Sequence, residues 1–181
     1  FNFLKSKNIK NHFIKQLSET EQLIQAVDII PLEVVVRNVA AGSFSKRLAI
    51  PEGVQLNKPI VEFYYKNDEL DDPMIVDDHI LFLELATTEE IKQLRQMALE
   101  VDQALIELFN SMDITLIDFK LEFGRKKDGT ILLADEVSPD TCRLWDKKTK
   151  EHLDKDIYRR DLGDIIPVYQ EVLNRLEKRG E

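Results

Sequence analysis

Residues 117–137 read IDFKLEFGRKKDGTILLADEV, and the reading of this stretch decides the fold. Asp118, Lys120 and Glu122 alternate with Ile117, Phe119, Leu121 and Phe123. Successive side chains of a strand point to opposite faces, so the charged set shares one face and the apolar set the other. Asp128-Gly129 is a preferred dipeptide for a two-residue hairpin turn, whose central residues both need positive φ. If Lys127 then pairs with Thr130, Glu122 stands directly opposite Asp135, and Leu121 opposite Glu136. Like charges facing each other across a ladder destabilise it by roughly 0.2–1 kcal/mol unless compensated. A divalent cation compensates them, and carboxylates with few other protein ligands suit magnesium. The competing reading is a solvated hairpin in which Lys120, Arg125 and Lys126 balance the acids.

Working outward, a chain of 181 residues that is 43% hydrophobic can bury one substantial core. Its formal net charge of −9 argues against a nucleic-acid or anionic-membrane surface, where a basic stripe supplies the affinity. No apolar run reaches membrane-spanning length, and no signal-peptide pattern opens the chain. The single cysteine, Cys142, cannot form an internal disulfide, which fits a reducing cytoplasm. His12, His79 and His152 are scattered without a zinc or nucleophile-elbow spacing.

Residues 12–17 and 21–39 are rich in Val, Ile and Leu and are interrupted by Pro31, which predicts strands on either side of it. Residues 45–48 predict one helical turn after Gly42 and Ser43, and residues 61–65 another strand that ends in the loop KNDELDDP. Residues 87–111 predict a long helix, opened by a capping box at Thr87 and Glu90. Its stripe is Ile91, Leu94, Ala98, Val101, Leu105 and Leu108. Residues 165–176 predict a second helix with Ile166, Tyr169, Leu173 and Leu176 on one side. Strands and helices without strict βαβ alternation indicate an α+β fold.

The segments EVVVRNVAAGS (33–43), YYKNDELDDPM (65–74), IDFKLEFG (117–124), LADEVSPDTCRLWD (133–146) and LDKDIYRRDLG (153–163) occur in an order that closely resembles the SAICAR synthetases. One departure is Asp71, where that family usually carries histidine before Asp-Pro. Another is at the front: the family's β-rich lobe, with its glycine-and-lysine phosphate loop, has no counterpart in this sequence, which opens at Phe1. The resemblance therefore implies an ATP-grasp-related fold, an antiparallel sheet with packed helices, whose N-terminal lobe is largely missing. It divides the chain into residues 1–29, a remnant of the ATP-binding lobe, and 30–181, a catalytic and substrate-binding lobe. Part of the triphosphate grip is then expected to be absent.

The implied activity is a ligase of de novo purine synthesis. ATP, L-aspartate and carboxyaminoimidazole ribonucleotide (CAIR) give the succinocarboxamide, ADP and phosphate through an acyl phosphate, with magnesium as the metal. Residue by residue, the resemblance gives Arg37, Ser43 and Arg143 the ribonucleotide 5′-phosphate. Lys66 and Asp72 line the imidazole or aspartate site, and Glu122 and Asp135 hold the metal. Lys120 and Asp118 on the ionic face, and Lys155, oriented by Asp154 and Asp156, serve catalysis. Structural alternatives stand beside these roles: Arg143 pinning its loop to Asp140 or Asp146, and Lys120 neutralising its neighbours. The resemblance also implies a cytoplasmic homodimer. Two other classes stay open, a phosphotransferase of the inositol-phosphate-kinase kind and a noncatalytic nucleotide-binding module.

Overall fold

The computed structural model describes residues 1–179. In chain order the elements are α1 (Asn2–Ser6), β1 (Phe13–Gln16), β2 (Gln22–Ile24), β3 (Asp28–Val39), α2 (Gly42–Leu48), β4 (Gln55–Tyr65), a 3-10 turn at Asp68–Leu70, β5 (Met74–Ile75) and α3 (Asp77–Phe82). There follow α4 (Thr88–Asn110), β6 (Ile114–Arg125), β7 (Ile131–Leu133), β8 (Cys142–Asp146), α5 (Asp156–Arg159) and α6 (Ile165–Lys178). β1 and β2 pair with each other, and the other strands form one sheet in the order β5-β4-β3-β6-β7, with β8 also on β6. The pairs β4–β5, β6–β7 and β6–β8 are antiparallel, so the chain has the α+β character expected.

The helix signals in the sequence were sound. Thr87 N–H donates to Glu90 Oε2 at 2.8 Å and Glu90 N–H donates to Thr87 Oγ1 at 3.3 Å, the reciprocal capping box ahead of α4. The α4 stripe of Ile91, Leu94, Ala98, Val101 and Leu105 is buried as the periodicity requires, whereas Leu108 near the helix end is half-buried. On α6 the inward residue is instead Val172, while Ile166 is 71% exposed and Leu173 and Leu176 face outward with it.

Two strand expectations change. Pro31 does not split a strand: β3 runs through it, and the Pro31 carbonyl accepts the Lys66 N–H at 3.1 Å. A proline loses only a donor, and its fixed φ is compatible with extended backbone.

The hairpin register is also one residue away from the expected one. Phe123 pairs with Leu133 and Arg125 with Ile131, Lys126 N–H donates to the Thr130 carbonyl, and Gly129 N–H donates to the Lys126 carbonyl. The connection is thus a three-residue loop with Gly129 at φ 83, the turn-plus-left-handed-glycine solution rather than the two-residue one. Glu122 consequently stands opposite Ala134, whose N–H donates to the Glu122 carbonyl, and not opposite Asp135. Asp135 follows at φ 53, so it leaves the strand alternation at that point.

The chain forms two compact units. Unit one comprises Phe1–Val35, Val61–Val101 and Leu121–Glu136; unit two comprises Val36–Ile60, Asp102–Lys120 and Val137–Glu181. In unit one, Ile30, Leu32, Phe63, Leu94, Leu121 and Phe123 are essentially inaccessible. In unit two, Val39, Ala41 and Ile117 pack together, with Trp145 against them.

Candidate functional site

The charged face of β6 is buried, which overturns the solvated-hairpin reading. Asp118 is 3% exposed and Glu122 is 4% exposed. A buried carboxylate is tolerated only when cations and hydrogen bonds replace water. Each of these two has such a partner, and each partner lies far away in sequence.

In unit two, Arg37 Nη1 on β3 donates to Asp118 Oδ2 at 2.6 Å, and its Nη2 donates to Ser43 Oγ at 3.2 Å. Arg143 on β8 reaches the same carboxylate, Nη1 lying 3.0 Å from both oxygens. Its Nε donates to Asp156 Oδ2 at 2.9 Å. Arg143 therefore pairs with neither Asp140 nor Asp146, the two partners considered from sequence. Burial alone would lower the Arg143 pKa, but the Asp118 and Asp156 carboxylates outweigh it and hold the group above its ordinary value. Asp156 shows the converse: burial raises its pKa, and the Arg143 and Arg159 guanidiniums overcome that and lower it.

This network backs onto a pocket of about 680 Å³ lined by Gly42, Ser43, Lys46, Glu52, Arg143, Asp156, Arg159 and Arg160 among others. Gly42 sits at φ 53, and a Cβ there would lie 2.5 Å from Arg143 Nη2. Only glycine lets the guanidinium lie against the backbone at this point. Arg159 bonds Asp156 at 3.0 Å, and Arg160 bonds Glu52 at 2.8 Å. Four guanidiniums, of Arg37, Arg143, Arg159 and Arg160, thus share the carboxylates of Asp118, Asp156 and Glu52. With Lys46 the surplus is positive, an environment suited to a phosphate. Of the residues expected at the phosphate, Ser43 and Arg143 line the pocket, and Arg37 lies behind Ser43.

In unit one, Lys66 Nζ donates to Glu122 Oε1 at 2.8 Å. The lysine is 41% exposed at its side chain and the glutamate 5%, so the cation reaches in from solvent to a buried acid. Asp72 Oδ1 accepts the Asn67 N–H at 2.7 Å and thereby closes the loop in which Asp71 and Asp72 both have positive φ. Glu122 on β6 and Asp135 just after β7 carry hard carboxylate oxygens, the donor type that magnesium takes, but they are not the cross-strand pair the sequence suggested.

Lys155, the residue before α5, has its Nζ 3.5 Å from Asp140 Oδ1, an oxygen that also accepts the Tyr169 hydroxyl at 2.5 Å. Asp154 and Asp156 do not orient it as expected. Asp154 takes the N–H groups of Leu144 and Asp156, both at 2.7 Å. His152, Asp154 and Asp156 also offer ligand atoms within 4.8 Å of one another. Their carboxylates are already committed to backbone N–H groups and to Arg143 and Arg159, which leaves poor donors for a metal. Lys120 is half-buried, and its N–H donates to the Thr141 carbonyl at 2.8 Å.

Glu52, Arg159 and Arg160 were not singled out from the sequence. The RR dipeptide lies inside LDKDIYRRDLG and was a visible signal; Glu52 lies in an unremarkable turn.

Known proteins similar to this chain belong to one family. The family model described as SAICAR synthetase matches residues 1–176. The phosphoribosylaminoimidazole-succinocarboxamide synthase of Enterococcus faecalis is 64% identical over 176 residues, covering 97% of this chain and 74% of that protein. The enzyme of the same name from Listeria monocytogenes serovar 1/2a is 62% identical over 178 residues, covering 98% and 75%. The crystal structure of the Ehrlichia chaffeensis synthase superposes with a TM-score of 0.94 at 49% identity, covering 97% of this chain and 76% of that one. A SAICAR synthetase in complex with ADP superposes with a TM-score of 0.95 at 51% identity, covering 97% and 75%. A match through residue 176, with identities above 60% and near-superposition of the fold, leads to one conclusion: this chain belongs to the SAICAR synthetase family.

Proposed function

We propose that the chain joins L-aspartate to the carboxylate of CAIR at the expense of ATP, giving SAICAR, ADP and phosphate. The observation that carries the assignment of parts is the unit-two pocket, where Ser43, Arg143 and the Gly42 backbone meet beneath a positive surplus. A 5′-phosphate takes its hydrogen bonds from such donors. Arg37 acts as a positioning residue, holding Ser43 Oγ and the Asp118 carboxylate that aligns Arg143.

The chemistry follows from the weakness of a carboxylate as an electrophile. Transfer of the γ-phosphoryl group to a carboxylate oxygen releases ADP and creates an acyl phosphate with a good leaving group. The aspartate amine attacks the acyl carbon, inorganic phosphate departs, and the amine gives up a proton to leave the amide. Such transfers depend on positioning and on neutralising charge at the phosphoryl oxygens. Lys120 and Lys155 supply cations for that role, and Lys66 and Asp72 belong to the imidazole or aspartate side. Magnesium held by Glu122 and Asp135 supplies charge neutralisation at the phosphates when bound. In its absence Lys66 provides the countercharge to Glu122.

A homodimer working in the cytoplasm completes the proposal. The outward apolar residues Ile166, Leu173 and Leu176 support association of copies, and light scattering on the purified chain tests it. No helix among the described residues is long and apolar enough to cross a membrane.

The functional test omits each substrate in turn. ADP release that requires both aspartate and CAIR, with formation of the succinocarboxamide, is the expected result. Sustained ADP release over many turnovers without aspartate would instead mark a phosphotransferase, and binding without turnover a noncatalytic module.

A further inference from the structure

The unit-two pocket already contains a ligand-like anion belonging to the chain. Glu52 Oε1 accepts the Gly42 N–H at 2.9 Å, and both Glu52 oxygens take the Arg160 guanidinium, at 2.8, 3.1 and 3.1 Å. A backbone N–H together with a guanidinium fork is the donor set that a phosphate oxygen takes. We infer that Glu52 is a displaceable resident anion, holding the Gly42 N–H and Arg160 until the dianionic phosphate monoester of the substrate replaces it. It thereby sets the charge an incoming anion needs. This rests on reading the pocket as the 5′-phosphate site.

Glu52 differs in kind from the pocket's other carboxylate. Asp156 is 2% exposed and gripped by Arg143 and Arg159, so it is fixed framework. The Glu52 side chain is 37% exposed, stands in the turn after α2, and is held by Gly42 and Arg160. Its acidity is enhanced first by the Arg160 hydrogen bonds, so it remains ionised across the working range. Arg160 keeps a second partner, Asp156 Oδ2 at 3.4 Å, and stays in the pocket when Glu52 leaves. Lys46 adds positive charge at the rim. A single-charged anion entering here gains little over the carboxylate it replaces. A dianion gains more from the same donors.

The test titrates inorganic phosphate into the full chain by calorimetry in mildly alkaline buffer, comparing wild type with E52Q, E52A, S43A and D161N. Glu52→Gln and Glu52→Ala are expected to bind phosphate about twofold to fivefold tighter, the range open to a part-exposed charge pair. Ser43→Ala should bind it more weakly, and Asp161→Asn, an exposed acid next to Arg160 but outside the pocket lining, should match wild type. Unchanged or weaker binding in both Glu52 variants, with Ser43→Ala still weakened, overturns the displaceable anion while leaving the phosphate site standing. An equal gain in Asp161→Asn reduces the effect to general charge and also overturns it. Affinity indifferent to Ser43 and Glu52 alike removes the phosphate site itself, and the inference with it. Thermal melts of each variant establish that it is folded.

Discussion

Asp118 and Arg143 meet through two hydrogen bonds of 3.0 Å while the same carboxylate receives Arg37 at 2.6 Å, so one buried acid aligns two arginines from different strands. The pair joins the strand core to the pocket wall. Replacing Asp118 by Asn keeps the shape and removes the charge, leaving the buried Arg37 guanidinium without this anion and the part-buried Arg143 with Asp156 alone. Breaking a buried ion pair in this way costs about 3–5 kcal/mol. Urea denaturation of Asp118→Asn should show a loss of that order, and an unchanged midpoint would mean that the network contributes nothing to stability.

Arg37 lies behind the pocket and touches Ser43 Oγ at 3.2 Å. Arg37→Ala should raise the KM for the ribonucleotide about tenfold, the cost of one lost and buried hydrogen-bond partner. The KM for ATP should move far less. Steady-state kinetics with each substrate varied at saturation of the others decides the matter, and equal rises would remove Arg37 from the phosphate side.

Glu122→Gln and Asp135→Asn should each raise the magnesium concentration for half-maximal turnover at least about tenfold. Lys66→Met provides the contrast. It removes the countercharge 2.8 Å from Glu122, so in the metal-free protein it should lower stability, with the loss shrinking as magnesium is added. Wild-type activity of either acid variant at limiting magnesium would rule that residue out as a ligand.

Asp102 is 1% exposed and accepts a hydrogen bond from Asn38 Nδ2 at 2.7 Å. Burial raises its pKa above the usual 3.8. The folded state then holds its proton more tightly than the unfolded chain. Wild-type stability from this group is therefore present at low pH and falls as pH rises from the unfolded value through the folded one. Asp102→Asn keeps the oxygen that Asn38 needs and cannot ionise. Its thermal midpoint relative to wild type should improve steadily with rising pH across that window, and a constant difference would show that Asp102 does not titrate there.

The parts of the fold written in local pattern were readable from the sequence. The α4 capping box, the apolar alternation on β6 and the turn at Asp128-Gly129 all depend on residues a few positions apart. The hairpin register differs from the expected one because the same dipeptide serves both a two-residue and a three-residue loop, and only the backbone at Gly129 distinguishes them. Long-range partners were beyond reach: Lys66 and Glu122 are 56 residues apart, and Arg160 and Glu52 are 108 apart. No periodicity encodes such pairs. The outward turn of Ile166 on α6 was equally hidden, since an apolar stripe indicates a face but not what covers it.

The loop between β6 and β7 has a consequence for protein engineering. A Cβ added at its tip, Gly129, would meet no atom within 4 Å, and Lys126 and Thr130 close the ladder beneath it. Extra residues grafted at that tip, such as an epitope or a dye-bearing peptide, can hang in solvent while Glu122 and Ala134 keep their places below.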